Sequence, residues 1–113
     1  EEYLCEDAEI ILTAYGTVAR IVKSAVDMLR SQGHKVGLIR PITLFPFPTE
    51  NYARLAEMPQ VKEFMSIELS MGQMIEDVKL SVNGKKPVYF YGRCGGNVMT
   101  AEDIVERVLK EEK

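Results

Sequence analysis

Apolar and polar positions along the chain follow two alternating rhythms. From Glu9 to Ala14 the run EIILTA is β-branched and aliphatic, which suits a short strand buried on both faces. Tyr15-Gly16-Thr17 then punctuates it. Val18, Ile21, Val22, Ala25, Val26, Met28 and Leu29 follow at spacings of three and four, one apolar stripe of a helix that Thr17 can cap and Gly33 can end. Lys35 to Arg40 predicts a second strand through Val36, Leu38 and Ile39. In PITLFPFPTE the prolines at 41, 46 and 48 fix φ and lack an N–H, excluding a continuous helix or a central strand. Thr49 caps a short helix to about Glu57, stopped by Pro59. Val61 to Leu69 predicts a third strand with Glu68 at its end, and Met74, Ile75, Val78 and Val82 share one face of a helix opened by Gly72. Asn83-Gly84 is a turn signal, and Pro87 to Tyr91 predicts a fourth strand. Beyond the GRCGG loop, Thr100 with Asp103 three residues on resembles a capping box for a last helix burying Ile104, Val105, Val108 and Leu109.

Strand and helix thus alternate four times, which predicts an α/β three-layer sandwich with a mostly parallel sheet and helices on both faces. The first nine residues, EEYLCEDAE, hold five acids and no base, so residues 1–8 read as a solvated opening linker and 9–113 as a single domain. A chain that opens on Glu1 without an initiator Met reads as a domain of a longer polypeptide.

Composition narrows the function more than it defines one. The chain has 113 residues, 46% hydrophobic and 27% charged, which excludes a disordered or fibrous class. With 14 Lys and Arg against 17 Asp and Glu, a net charge of −3 gives no footprint for nucleic acid or anionic lipid. No aliphatic run is long enough to span a bilayer. Cys5 and Cys94 with the single His34 cannot make a four-ligand zinc site or hold an Fe–S cluster alone, and two free thiols suit the reducing cytoplasm.

Ligands of open α/β sheets meet the carboxyl ends of the strands. Gly16-Thr17 there lacks phosphate-loop spacing and reads as a turn and cap. Arg40, before Pro41, suits a carboxylate or phosphate, or a structural tie. Glu68 could act as an acid or base if burial raised its pKa, or be held by backbone N–H groups at the start of the next helix. Cys94 beside Arg93 could be an activated thiol, but no histidine follows it, and Gly95-Gly96 allows close approach of a partner or an anion. Arg40, Arg93, Gly95 and Gly96 are thus the cofactor-binding candidates, and no catalytic set or metal-ligand cluster is legible. Phe45-Pro46-Phe47-Pro48 is too short a loop to bury both rings and points to an interface.

Three stretches carry a resemblance: EIILTAYGTVARIVKSAVDMLRSQGHKVG, VGLIRPITLFPFP and SMGQMIEDVKLSVNGKKPVYFYGRCGG. Together they resemble the C-terminal domain of the alpha subunit of 2-oxoacid:ferredoxin oxidoreductases, of the 2-oxoglutarate and branched-chain kinds, over positions 9–110. The resemblance implies a transketolase C-terminal-like fold. It implies a complex that decarboxylates a 2-oxoacid on thiamine diphosphate with magnesium, passes electrons through Fe–S clusters to ferredoxin, and transfers the acyl group to coenzyme A. None of these cofactors is expected on this domain. Its implied partners are the other alpha-subunit domains and the thiamine-binding beta subunit. Gly16, Arg40, Pro41, Pro46, Pro48, Gly72, Gln73, Gly92, Arg93, Gly95 and Gly96 match the family pattern and are expected to be packing and subunit-contact positions. Cys94 departs from it, since proline is expected there and would stiffen that loop.

Overall fold

The computed structural model describes residues 2–15, 18–41, 49–68, 75–92 and 100–111. Its elements run β1 (Glu2–Tyr3), β2 (Ile10–Thr13), α1 (Val18–Ser31), β3 (Val36–Ile39), α2 (Thr49–Glu57), β4 (Glu63–Glu68), α3 (Ile75–Val82), β5 (Val88–Gly92) and α4 (Ala101–Glu111). They form one five-stranded sheet in the order β1-β3-β2-β4-β5. The three pairings from β3 to β5 are parallel, and only β1 runs antiparallel, on β3.

Period-two alternation divides the core. Ile10 and Leu12 of β2, Val36 and Leu38 of β3, and Met65 and Ile67 of β4 pack with α1 and α4. Ile11, Ile39 and Phe64 pack on the opposite face with Tyr52, Leu55 and Ala56 of α2 and Val78 and Val82 of α3. Both faces of β2 and β3 are therefore fully buried, which is why those strands read as unbroken apolar runs. Helix α1 buries Val18, Ala19, Val22, Ala25, Val26 and Leu29. Each fully buried Val or Leu there contributes about 1.5–3 kcal/mol. Gly33 ends the helix in the left-handed region at φ +91°, its N–H donating to Arg30 O at 3.0 Å. The capping box at α4 forms as expected: Asp103 N–H donates to Thr100 Oγ1 (3.2 Å) and Thr100 N–H to Asp103 Oδ2 (3.1 Å).

The acidic opening is not a solvated linker. Glu2 and Tyr3 pair with Ile39 and Leu38, and Cys5 and Ala8 are buried. The reason is tertiary and outweighs the local charge. Arg30 spans three elements: its Nε donates to Val36 O (2.8 Å), and its Nη2 donates to Leu4 O (2.7 Å) and to Asp7 Oδ1 (2.7 Å). Glu2 accepts from Arg54 and from Asn51 of α2. Gly37 clears the space the turn needs, since a Cβ there would stand 2.8 Å from Leu4 O. Among the described residues no helix is long and apolar enough to cross a membrane.

Candidate functional site

Strand order fixes where a site can form. From β2 the chain steps outward to β3, then crosses back to place β4 on the other side of β2. The switch point therefore lies at the carboxyl ends of β2 and β4, where Thr13 pairs with Ser66. Four polar side chains on the α2/α3 side meet here, all buried: Thr13, Ser66, Glu68 and Tyr52. The Thr13 and Tyr52 hydroxyls hydrogen-bond, and Ser66 Oγ donates to Glu68 Oε2 at 2.9 Å. Burial pushes the Tyr52 phenol above its ordinary range, against the opposing hydrogen bond from Thr13. Glu68 is 1% exposed, so the buried glutamate expected at the end of this strand is in place. It sits in a hydrogen-bonded cluster with no histidine among its described members.

The other side of the rim differs. Arg40, just past β3, lines a cavity of about 220 Å³ with Tyr3, Leu38 and, from α1, Ala19, Arg20 and Lys23. Pro41 beside it is buried. Gly92 closes β5, in register with Glu68, and lies close against the ring of Phe90 on the same face. Gly16, Thr17, Phe45, Pro46, Phe47, Pro48, Gly72, Gln73, Arg93, Cys94, Gly95 and Gly96 lie outside the described residues.

The histidine and the cysteine that the sequence counted too few for a metal site have defined settings. His34 is half-buried in the turn between α1 and β3, its backbone N–H bonded to Leu29 O at 3.0 Å. Cys5 is 3% exposed and its thiol donates to Leu38 O at 3.2 Å. Burial pushes that thiol up to about 11, so it stays protonated at neutral pH and is a structural group, not a nucleophile. Sequence reasoning missed Thr13, Ser66 and Tyr52, although a hydroxyl inside an apolar strand is a legible sign of a buried polar contact. It also missed Tyr3, Arg20 and Lys23, whose convergence depends on the docking of β1.

Similarities to known proteins follow the same fold. Ketoisovalerate oxidoreductase subunit VorB of Methanothermobacter marburgensis is 51% identical over 108 residues, 96% of this chain and 30% of that protein. 2-Oxoglutarate synthase subunit KorA of Methanocaldococcus jannaschii is 34% identical over 103 residues, 91% of this chain and 27% of that protein. The chain thus spans less than a third of the relatives it matches. Among solved structures, 2-oxoglutarate:ferredoxin oxidoreductase from Magnetococcus marinus, with 2-oxoglutarate, coenzyme A and succinyl-CoA bound, superposes with a TM-score of 0.82. It is 27% identical and matches over 95% of this chain and 18% of its own. A split-gene transketolase, an inactive β4 tetramer, gives 0.77 at 19% identity over 97% of this chain and 40% of its own, which shows the shared fold. With its sequence matching over residues 8–104, the chain belongs to the pyruvate:ferredoxin oxidoreductase core domain II family.

Proposed function

We propose that this chain is a structural and assembly domain of the alpha subunit of a cytoplasmic, thiamine-dependent 2-oxoacid:ferredoxin oxidoreductase. The whole complex converts a 2-oxoacid and coenzyme A to an acyl-CoA and reduces ferredoxin. The observation that carries this is the family match over 8–104, joined to 51% identity with a ketoisovalerate oxidoreductase subunit. That identity favours a branched-chain 2-oxoacid as the substrate of the complex.

The described residues do not fit the thiamine diphosphate–magnesium group. They include no cluster of three His, Cys, Asp or Glu side chains that could hold a metal ion. Glu68, the carboxylate at the switch point, is buried and accepts from Ser66. Nor do they fit an Fe–S cluster, since Cys5 is the one described cysteine and its thiol is buried against Leu38 O. In this reading, thiamine chemistry and electron transfer belong to the other domains and subunits, including a thiamine-binding beta subunit. The buried hydroxyl pair of this domain ties the carboxyl end of β2 to α2.

The test compares the complex built with the full-length alpha subunit against one whose alpha subunit lacks residues 9–113. Size-exclusion chromatography should show the truncated subunit failing to assemble, with loss of 2-oxoacid- and CoA-dependent viologen reduction. Turnover by residues 1–113 alone, or full assembly without them, contradicts the proposal.

A further inference from the structure

The cavity on the α1 side of the carboxyl rim has the composition of an anion site. Its described lining contains three cationic side chains, Arg20, Lys23 and Arg40, and no acid. Arg20 and Lys23 stand one turn apart in the N-terminal half of α1, whose dipole places further positive potential at that end. Arg40 approaches from the end of β3. Neither Arg20 nor Lys23 forms an ion pair with a described residue. The Lys23 ammonium lies 4.7 Å from the centre of the Tyr3 ring, and the Tyr3 hydroxyl donates to Asp27 Oδ1 at 2.7 Å. These two contacts tie one wall of the cavity to α1.

Like charges brought together around apolar walls repel one another, and a bound anion reverses the sign of that interaction. A volume of about 220 Å³ is smaller than the roughly 300–1,000 Å³ of pockets that enclose a drug-sized molecule. It suits the charged head of a ligand whose remainder lies outside. Two guanidinium forks beside an ammonium match the oxygen geometry of a phosphoryl group better than that of a single carboxylate.

We infer that Arg20, Lys23 and Arg40 form a binding site for a phosphoryl or diphosphoryl group. Two carriers present that chemistry: a free inorganic phosphate, and a phosphate-bearing cofactor such as coenzyme A. This inference does not depend on the assembly role.

The experiment uses the thiamine-loaded complex containing the full-length subunit and reads phenylglyoxal modification of individual arginines by mass spectrometry. Inorganic diphosphate should slow modification of Arg20 and Arg40 at least tenfold, with Arg54, paired to Glu2 on the far face, unaffected. Coenzyme A protecting at lower concentrations than diphosphate assigns the group to the cofactor, and protection by diphosphate alone assigns it to the free anion. In K23Q, protection of Arg20 should need at least tenfold more of the same probe, while K35Q, with a charge removed at the opposite rim, should behave as wild type. Equal protection in K23Q and wild type overturns the inference. So does an Arg20 that resists phenylglyoxal without any probe, because a neighbouring protein then fills the cavity.

Discussion

Gly37→Ala separates a steric role of this glycine from a merely permissive one, because the two predict opposite signs. Gly37 sits mid-strand in β3, in register with Ile11 of β2. A Cβ at this position would lie 2.8 Å from Leu4 O, 2.9 Å from Cys5 Cα and 3.1 Å from Ala8 Cβ. Carbon contacts are comfortable at roughly 3.5–4.0 Å, and the two closest neighbours are backbone atoms that no rotamer change can move. Overpacking of this kind costs about 1–3 kcal/mol. Replacing Gly by Ala in a strand returns about 0.5–1 kcal/mol of backbone entropy. The net expectation is destabilisation by about 0.5–2 kcal/mol, several degrees in Tm for a domain of this size. The loss should be local, since the turn over residues 4–8 must move away from β3. Cys5, 3% exposed, should then react with a thiol reagent faster than in the parent when both are measured in a Cys94→Ser background. Gly33→Ala supplies the contrast: nothing lies within 4 Å of its Cβ position, but φ is +91°. It should lose about 1–2 kcal/mol from backbone strain with no change at Cys5. A Gly37→Ala variant more stable than wild type, with Cys5 still protected, refutes the reasoning.

The buried hydroxyl pair predicts non-additivity. Tyr52→Phe leaves Thr13 Oγ1 without its phenol partner and should lower stability by about 1–3 kcal/mol in urea unfolding, whereas on a Thr13→Val background the same change should have much less effect. Stability should also fall at alkaline pH. The Cys5 thiol is raised by burial from 9.0 to about 11, so its contribution is complete below pH 9 and is lost as pH rises through that window, when only the unfolded thiol ionises. The loss amounts to roughly 2–3 kcal/mol, and Cys5→Ala should remove it in a pH series of denaturation midpoints, leaving a later decline from the raised Tyr52 phenol. Thr100→Ala removes the oxygen that accepts from Asp103 N–H and should lower stability by about 1 kcal/mol, with fraying of the first turn of α4 visible as faster amide exchange.

The legible parts of the fold are those in which one local rhythm decides the outcome. EIILTA and VGLI are strands with both faces covered, so an unbroken apolar run is all they need to show. The stripes of α1 and α4 and the cap at Thr100 are equally local. The opening segment failed because its five acids describe only its own solvation. The groups that hold it are Arg30, 23 residues from Asp7, and Arg54, 52 residues from Glu2. The third strand starts later than the sequence expectation, at Glu63 instead of Val61, because Val61 N–H bonds back to Met58 O in the preceding turn, while Leu69 at its expected end lies outside the described residues. At the site, Arg40 and Glu68 were legible from their positions at strand ends. Thr13–Tyr52 was not, since it needs two elements brought together by the crossover, and the cavity of Arg20 and Lys23 was not, since it needs Tyr3 brought to α1 by the docking of β1.

Alternation along the strands also explains why the rim has two different characters. Thr13, Ser66 and Glu68 follow Ile11 and Phe64 at intervals of two, so they share the α2/α3 face and meet Tyr52 there. Their hydroxyls and carboxylate hydrogen-bond among themselves in the interior, which makes that half of the switch point rigid. Leu38 has the opposite parity and directs the α1 face toward Arg20 and Lys23, where the cations line open volume. Substitutions on the two halves should therefore separate experimentally. Changes at Thr13 or Tyr52 act on stability and through it on assembly, whereas changes at Lys23, an exposed side chain, act on anion protection with unfolding midpoints unchanged. A Tyr52→Phe variant that alters arginine protection at wild-type stability would show that the halves communicate through the backbone of β2 and β3.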